Sequence, residues 1–343
     1  MNTMRQVVVT SSDDIAVAEV PRPGSPAAGE VLVASRLVGI CGTDVHAAAG
    51  HHPFIDRPYR PGHEVVGVVE QVGEGVTDLA AGDRVVLEPN LTCGECRQCR
   101  DGRYNICRNL AVFGCQTPGG MADVFVVARD RLHRVPADMS DELAALVEPL
   151  ATPVHAVRRA GVRAGSRVAV LGAGPIGLLV LVAAKAAGAE VVVVTDVLPE
   201  KLDRARRLGA AEALRADAPD LLDRAAAVLK GADVVFDCVA SAGSMAQAVE
   251  LVDKGGTVMV VGIAAGPTSI PLHLVQDREI SVIGSLMYVR EDVEQAIALL
   301  SSGAVAAADL VTAVYPLDRA AEAFAASADP QQVKVLVSVG DPA

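Results

Sequence analysis

The chain has 343 residues, 51% of them apolar and few aromatic, so it is long enough for two domains with cores of mostly Val, Ala, Leu and Ile. Its 30 basic and 42 acidic side chains give a formal net charge of −12, which argues against nucleic acid or an anionic membrane surface as a partner. The N-terminus lacks the layout of a signal peptide, so the seven cysteines are expected in the reducing cytoplasm.

Short apolar runs separated by Gly, Pro and Asp fill the chain up to about residue 150. Examples are EVLVASRLVGI (30–40), HEVVGVVEQVG (63–73) and DRVVLEP (83–89). Runs of this length between turn-forming residues predict short strands in a small, irregular β domain. The same part of the chain holds the two segments richest in potential metal ligands, GICGTDVH (39–46) and CGECRQCRDGRYNIC (93–107).

Four cysteines of the second segment follow the pattern C-x2-C-x2-C-x7-C: Cys93, Cys96, Cys99 and Cys107. Four thiolates at this spacing can surround one zinc ion tetrahedrally and leave no open position. The alternatives are a disulfide pair or a redox-active C-x2-C pair, which the reducing compartment and the near-tandem spacing disfavour. The segment has almost no apolar side chains, so metal binding must supply its ordering energy. A zinc ion enclosed by sulfur cannot polarise a substrate, and a reactive metal has to lie elsewhere.

From about residue 153 strand-like and helix-like segments alternate. Strands are predicted at 167–174, 190–196, 232–240, 255–263 and 279–286, and a terminal strand at 332–340. This alternation predicts an α/β fold with a doubly wound parallel sheet. The uncharged stretch 168–184 is nearly long enough to cross a membrane, but its glycines and proline favour a buried strand followed by a buried helix.

The segment VAVLGAGPIG contains Gly172, Gly174 and Gly177 in a G-x-G-x-x-G pattern that follows a strand and opens a helix. In a dinucleotide site these glycines permit a tight turn, close approach of the pyrophosphate and helix–strand packing. The alternative is a glycine turn that binds nothing. Asp196 ends the next strand, where a carboxylate binds ribose hydroxyls and repels a 2′-phosphate, so NAD is favoured over NADP. Lys201 is within reach of the same ribose.

Cys41, His63 and one or two glutamates are candidate ligands of an open zinc site, since thiolate, imidazole and carboxylate all bind this metal. Each has an ordinary alternative when taken alone. Cys41 could be a buried apolar residue and His63 a hydrogen-bonded loop histidine. Their occurrence in one chain with a dinucleotide-binding pattern favours the metal site.

Four motifs taken in chain order resemble the zinc-dependent medium-chain dehydrogenase/reductase family of alcohol and polyol dehydrogenases: GICGTDVH, GHEVVGVVEQVGEGV, GDRVVLEPNLTCGECRQC and GAGPIG. The resemblance runs over essentially the whole chain. The resemblance implies a GroES-like, β-rich catalytic domain (residues 1–152), a Rossmann domain that binds NAD (153–286) and a return to the catalytic domain (287–343). It also implies two zinc ions per chain, one catalytic and one structural.

The resemblance also implies site residues. Cys41 and His63 match catalytic zinc ligands, and Glu148 stands at the third ligand position, as in the sorbitol, butanediol and aminocyclitol dehydrogenase branch. Glu64 matches a residue that binds the zinc ion directly in some members and lies next to the zinc ligands, without binding the ion, in others. Asp44 matches the carboxylate that orients the zinc-binding histidine.

The remaining residues that the resemblance implies bind the substrate oxygen, transfer the substrate proton or contact the cofactor. Thr43 matches the hydroxyl that hydrogen-bonds the substrate oxygen, and His46 matches the histidine that passes the proton to solvent. Thr152 matches a contact on the nicotinamide side. Further cofactor contacts are expected at Pro175, Ile176, Val239, Val261 and Gly262.

The implied activity is hydride transfer between a secondary alcohol of polyol, vicinal diol or cyclitol type and NAD, giving a ketone, in a homodimer or homotetramer. One alternative is an amino-alcohol dehydrogenase of the threonine or aminocyclitol type. A second, non-enzymatic alternative is an NAD(H)-binding protein that has lost catalysis. That alternative predicts loss of the reactive metal site, yet Cys41, His63 and Glu148 are all present.

Overall fold

The computed structural model describes residues 2–264 and 266–340. These fall into two compact units. The first contains the chain up to Glu148, the segment Val289–Ser301 and the chain from Ala306 onward. The second contains Pro149–Tyr288 and Ser302–Val305.

The strands, in chain order, are β1 (Thr3–Ser11), β2 (Asp14–Pro21), β3 (Glu30–Ile40), β4 (Glu64–Val72), β5 (Arg84–Leu87), β6 (Asn90–Leu91), β7 (Ala111–Val112), β8 (Val124–Ala128), β9 (Leu132–Arg134), β10 (Arg167–Leu171), β11 (Val191–Asp196), β12 (Glu212–Arg215), β13 (Ala232–Asp237), β14 (Val252–Val260), β15 (Ser281–Gly284), β16 (Val311–Pro316) and β17 (Lys334–Ser338).

The α-helices are α1 (Gly42–Ala48), α2 (Arg97–Arg100), α3 (Asp141–Ala144), α4 (Val147–Arg159), α5 (Pro175–Ala186), α6 (Pro199–Arg207), α7 (Leu221–Leu229), α8 (Ala242–Leu251), α9 (Leu272–Asp277), α10 (Arg290–Ser301), α11 (Ala307–Leu310) and α12 (Ala320–Ser327). Short 3-10 helices cover Tyr104–Ile106, Arg129–Arg131 and Leu317–Arg319.

The first unit is built on a seven-stranded mixed sheet in the order β16-β17-β3-β4-β5-β9, with β8 paired to β3. Strand β3 is long and almost continuously apolar. Its residues Val31, Val33 and Val38 are completely buried in the hydrophobic core of the first unit. Strand β17 pairs antiparallel with β3, with Val335 opposite Ile40. The end of the chain therefore joins the same sheet as the N-terminal segment.

The second unit is a six-stranded parallel sheet in the order β12-β11-β10-β13-β14-β15. This is the order of a doubly wound dinucleotide-binding sheet, in which the strand order reverses between the first and fourth strands. Strands β10 and β11 are buried along nearly their whole length, as expected for parallel strands covered on both faces. The predicted two-part α/β architecture, β-rich in one part and Rossmann-like in the other, is confirmed.

The uncharged stretch 168–184 divides between β10 and α5, as the sequence predicts. Residues 177–184 of α5 are all buried. Within the part of the chain that the structure describes, no helix has both the length and the apolar composition needed to cross a membrane.

Candidate active site

Three potential metal ligands meet at the junction of β3, α1 and β4. Cys41 caps the N-terminus of α1 directly after β3, and Glu64 opens β4 opposite Gly39. The ligand atoms of Cys41, His63 and Glu64 all lie within 4.8 Å of one another. His63 and Glu64 are buried, whereas Cys41 is partly accessible. This set offers a thiolate, an imidazole and a carboxylate to one ion, a donor combination that suits zinc.

Asp44 lies beneath this group and is completely buried. Its Oδ2 accepts a hydrogen bond from the Cys41 N–H (3.1 Å), while its buried Oδ1 has no hydrogen-bond partner among the residues that the structure describes and lies 3.9 Å from His63 Nδ1. A metal-bound histidine almost always donates its second ring N–H to a carboxylate or carbonyl. A small approach of the ring would satisfy Asp44 Oδ1 and leave Nε2 for a metal, so the residues present fit a zinc ion.

The charges of this group act on one another. Burial by itself lowers the pKa of His63, but the Asp44 carboxylate and the adjacent Cys115 sulfur raise it by more, so the net shift is well upward. Burial also raises the pKa of the Asp44 carboxyl, and the charge of His63 only partly offsets this effect. Cys115 Sγ is 3.9 Å from His63 Nδ1, which places a cysteine without a predicted role beside the candidate metal site.

Glu64 is paired with a lysine that the sequence analysis did not identify. Lys334, the first residue of β17, donates to Glu64 Oε1 (2.8 Å) and Oε2 (2.7 Å), and its Nζ also donates to the Ile40 carbonyl (3.3 Å). Both side chains are almost completely buried. Burial by itself lowers the pKa of Lys334, but the charges of Glu64 and Cys41 raise it by more.

Gly39 makes room for this ion pair. A Cβ atom added to Gly39 would lie 1.9 Å from Glu64 Oε2, so a side chain at this position would displace the carboxylate. The glycine that the sequence places two residues before Cys41 therefore has a packing role in the site.

The other predicted residues of the open site lie nearby on the chain. Thr43 and His46 are both on α1, Thr43 half-buried and His46 exposed in the last turn. Glu148, in the first turn of α4, lies outside the group formed by Cys41, His63 and Glu64, and its charge contributes to the raised pKa of Lys334.

The four clustered cysteines form a second group. The Sγ–Sγ distances are 3.4 Å (Cys93–Cys107), 3.5 Å (Cys96–Cys99), 3.9 Å (Cys93–Cys99) and 4.0 Å (Cys96–Cys107), and all four cysteines are free thiols. Tetrahedral zinc with Zn–S bonds of 2.3 Å spaces its sulfurs by about 3.8 Å. Backbone N–H groups of Arg108 and Cys99 lower the pKa of Cys96 to about 6, whereas burial and a hydrogen bond with Cys96 raise the pKa of Cys99 to about 12, so the sulfur spacing carries the fit to zinc. The cluster therefore fits a closed zinc site.

A buried network fixes this cysteine cluster to the sheet. Tyr104, inside the cysteine segment, donates its hydroxyl hydrogen to Glu88 Oε1 (2.7 Å). Glu88 is completely buried and is also bonded to Arg131 Nη1 (3.1 Å) and His133 Nε2 (2.8 Å). This network was not predicted, and its signal in the sequence is a polar Glu88 at the end of an apolar run.

The glycine turn of the second unit lies between β10 and α5. Gly172 has φ +96°, a backbone conformation that favours glycine, and a Cβ on Gly177 would lie 1.8 Å from the Gly172 carbonyl oxygen. Gly174 caps α5 and has open space around its Cβ position. Pro175 and Ile176, which follow, form the partly exposed first turn of the helix. The turn thus presents a helix N-terminus with room for a pyrophosphate.

Asp196 ends β11 beside this turn. Its Oδ2 accepts from the Ala173 N–H (2.8 Å) and its Oδ1 accepts from the Leu198 N–H (2.9 Å), so the carboxylate is held at the edge of the glycine turn. Lys201, in α6, is half-buried.

The remaining predicted cofactor contacts lie at strand ends or on α4. Val239 follows β13 and is 49% exposed, while Val261 and Gly262 follow β14 directly and are partly exposed. Thr152 is a half-buried residue of α4. Carboxyl ends of strands are where open parallel sheets bind ligands.

Comparisons with known proteins agree with this geometry. Residues 27–137 match the family model of the alcohol dehydrogenase GroES-like domain, and residues 175–302 match that of zinc-binding dehydrogenases. The chain is 36% identical to L-idonate 5-dehydrogenase of Vitis vinifera over 311 residues, which cover 87% of this chain and 85% of that protein. It is 32% identical to sorbitol dehydrogenase of Bacillus subtilis (strain 168) over 332 residues, 94% and 92% of the two chains.

The fold agrees equally well with a solved structure. A protein of Sinorhizobium meliloti 1021, described as a zinc-binding dehydrogenase bound to NADP, superimposes with a TM-score of 0.91 at 34% sequence identity. The match covers 98% of this chain and all of that one.

Proposed function

The chain belongs to the zinc-dependent medium-chain dehydrogenase/reductase family, and on that premise we propose that it transfers hydride between a secondary alcohol of polyol or vicinal diol type and NAD, giving a ketone. The observation that carries this proposal is the meeting of Cys41, His63 and Glu64 within 4.8 Å above a buried aspartate. Zinc bound there would supply Lewis acidity toward the alcohol oxygen, and NAD would accept the hydride.

The chain's own residues hold and move the proton. Thr43 and His46 are three residues apart on α1 and therefore neighbours on the helix surface. Thr43 is half-buried and His46 is exposed, so a proton passed from the first to the second moves outward to solvent. Asp44 Oδ1, 3.9 Å from His63 Nδ1, would accept a hydrogen bond from that nitrogen after a small approach of the ring, and the ring would then be fixed for metal binding.

We propose that Glu64 and Glu148 share the carboxylate role. Glu64 lies within the ligand group but is neutralised by Lys334, and Glu148 lies outside the group. Glu64 would hold the ion from within this group, and Glu148 would hold it after a side-chain movement or through a water molecule.

NAD is the proposed cofactor because Asp196 ends β11 at the edge of the glycine turn, where its charge repels a 2′-phosphate. Two zinc ions per chain are proposed, the second at the four cysteines, whose spacing fits a closed tetrahedral site. A cytoplasmic homodimer or homotetramer is proposed from the reduced thiols that the site needs and from the family resemblance.

The test is a substrate panel on the zinc-loaded full-length chain. Acyclic polyols, vicinal diols, cyclitols and amino alcohols are each supplied with NAD or NADP, and reduced cofactor is followed by its absorbance. We expect turnover with polyols or diols and a preference for NAD. Turnover confined to amino alcohols would replace the proposed substrate class, and no turnover with any alcohol would contradict the proposed reaction.

A further inference from the structure

The carboxyl ends of β11 and β12 bring an arginine beside the aspartate that selects the cofactor. Asp196 and Arg215 are register partners in this parallel pair, and the Ala216 N–H donates to the Asp196 carbonyl (3.0 Å). Side chains of partner residues on neighbouring strands project to the same face of a sheet. Arg215 therefore leaves the sheet on the same face as the Asp196 carboxylate.

The guanidinium of Arg215 is already occupied. Its Nε donates to Asp217 Oδ1 (2.8 Å) and its Nη2 donates to Asp217 Oδ2 (2.6 Å), a two-point pairing. This is the geometry in which arginine also binds a phosphate group. The hydrogen bonds to Asp217, followed by the charges of Asp196 and Glu200, raise the pKa of Arg215. The negative charges of Asp196 and Glu200 thus act on this guanidinium in addition to the carboxylate of Asp217 that it binds.

We propose that Asp217 is a specificity-determining residue that acts through Arg215. By occupying the guanidinium, Asp217 denies a 2′-phosphate the arginine that would otherwise bind it, and so adds to the exclusion of NADP by Asp196. The inference rests on the proposed use of NAD. It adds the end of β12, with Arg215, to the end of β11, with Asp196, as a part of the protein that selects the cofactor. An arginine near the ribose is the group by which Rossmann folds accept a 2′-phosphate.

A purely local role is the competing explanation. Arg215 and Asp217 are two residues apart, and their side chains are 44% and 54% exposed, so the pair could serve only the turn after β12. A pair of this kind contributes little to stability. The two explanations differ in one measurable quantity, the affinity for a 2′-phosphorylated nucleotide relative to the same nucleotide without that phosphate.

The experiment measures the dissociation constants of 5′-ADP and 2′,5′-ADP by titration calorimetry on the zinc-loaded full-length protein. Asp217→Asn should tighten 2′,5′-ADP by about two- to five-fold, the range of an exposed ion pair, and leave 5′-ADP unchanged. The matched control is Asp203→Asn, which removes the same charge from an exposed aspartate paired with Arg206 (2.6 Å) on the neighbouring α6. This control should change neither constant. Adding Arg215→Gln to Asp217→Asn should abolish the gain.

An unchanged affinity ratio in Asp217→Asn would overturn the proposal. An equal gain in Asp203→Asn would also overturn it, because the effect would then be one of net charge. A gain that survives Arg215→Gln would show that Arg215 is not the group involved. Failure of the wild-type protein to bind 5′-ADP would contradict the proposed use of NAD itself, a result distinct from a normal 5′-ADP affinity with no effect of Asp217→Asn.

Discussion

Lys334 carries its charge in an almost fully buried position, where it is held by both oxygens of Glu64. Sequence reasoning identified Glu64 from its place beside His63 but not Lys334, because the two residues are 270 positions apart and meet only after β17 has joined β3. A single lysine in the apolar run QVKVLVSVG was the available signal. Buried lysine is rare without a partner, so a lysine in such a run predicts an acidic partner nearby, an inference that the sequence analysis did not draw.

Replacement of Lys334 tests this pair. Lys334→Met should lower the free energy of unfolding by about 3 kcal/mol, because it leaves the Glu64 carboxylate buried and unpaired. Chemical denaturation of the zinc-loaded protein measures the loss, and the exposed Lys254→Met serves as the control that should change little. Adding Glu64→Gln should recover part of the stability. Equal stability of the wild type and Lys334→Met would show that the pair does not stabilise the fold.

The glycine turn illustrates what a motif can predict. Its pattern, the strand before it and the helix after it could all be predicted from the sequence, because each glycine stands where a side chain would be sterically unfavourable or would block the approach of a ligand.

Strands β12 and β16 were not predicted. Strand β12 has only four residues, Glu-Ala-Leu-Arg, at the edge of its sheet, and this composition has weak β propensity. Pairing with β11 forms the strand, and a local pattern does not show that pairing.

Gly174→Ala separates folding from cofactor binding. The added methyl group has open space in the folded protein and the backbone has φ −70°, so stability should change by less than about 0.5 kcal/mol. The methyl group would occupy the space proposed for the pyrophosphate, so NADH should bind at least about ten-fold more weakly. Fluorescence titration measures binding. Gly24→Ala, at another open position, is the control. Unchanged NADH affinity in Gly174→Ala would place the dinucleotide elsewhere.

The cysteine segment 93–107 is attached to the sheet by a hydrogen bond from its Tyr104 to Glu88, which lies outside the segment. Tyr104→Phe removes the hydroxyl that donates to the buried Glu88 and should lower the free energy of unfolding by about 1–3 kcal/mol. It should also accelerate zinc release from the four cysteines to a chromophoric chelator, because the segment would be less firmly attached. Tyr315→Phe, at a tyrosine whose ring lies near Arg319, is the control. An unaltered release rate would limit Tyr104 to a role in stability alone.

The chain as a whole shows where sequence reasoning succeeds and where it ends. The β-rich first part, the parallel second part and both ligand-rich segments could be predicted, since each depends on short spacings and periodic patterns. The Lys334–Glu64 pair and the Tyr104–Glu88–His133 network could not, because they join residues that only the tertiary fold brings together. Glu148 as the third zinc ligand stays a prediction, and the ligand group in the structure contains Glu64 instead.

Zinc content per chain, measured together with turnover, tests the account most directly. We predict two zinc ions in the purified wild-type protein and one in each of Cys41→Ser and Cys99→Ser. Cys41→Ser should lose turnover while retaining NADH binding and thermal stability, whereas Cys99→Ser should lose stability first. A Cys41→Ser protein with unchanged zinc content and normal turnover would contradict the open metal site at Cys41, His63 and Glu64 on which the proposed chemistry depends.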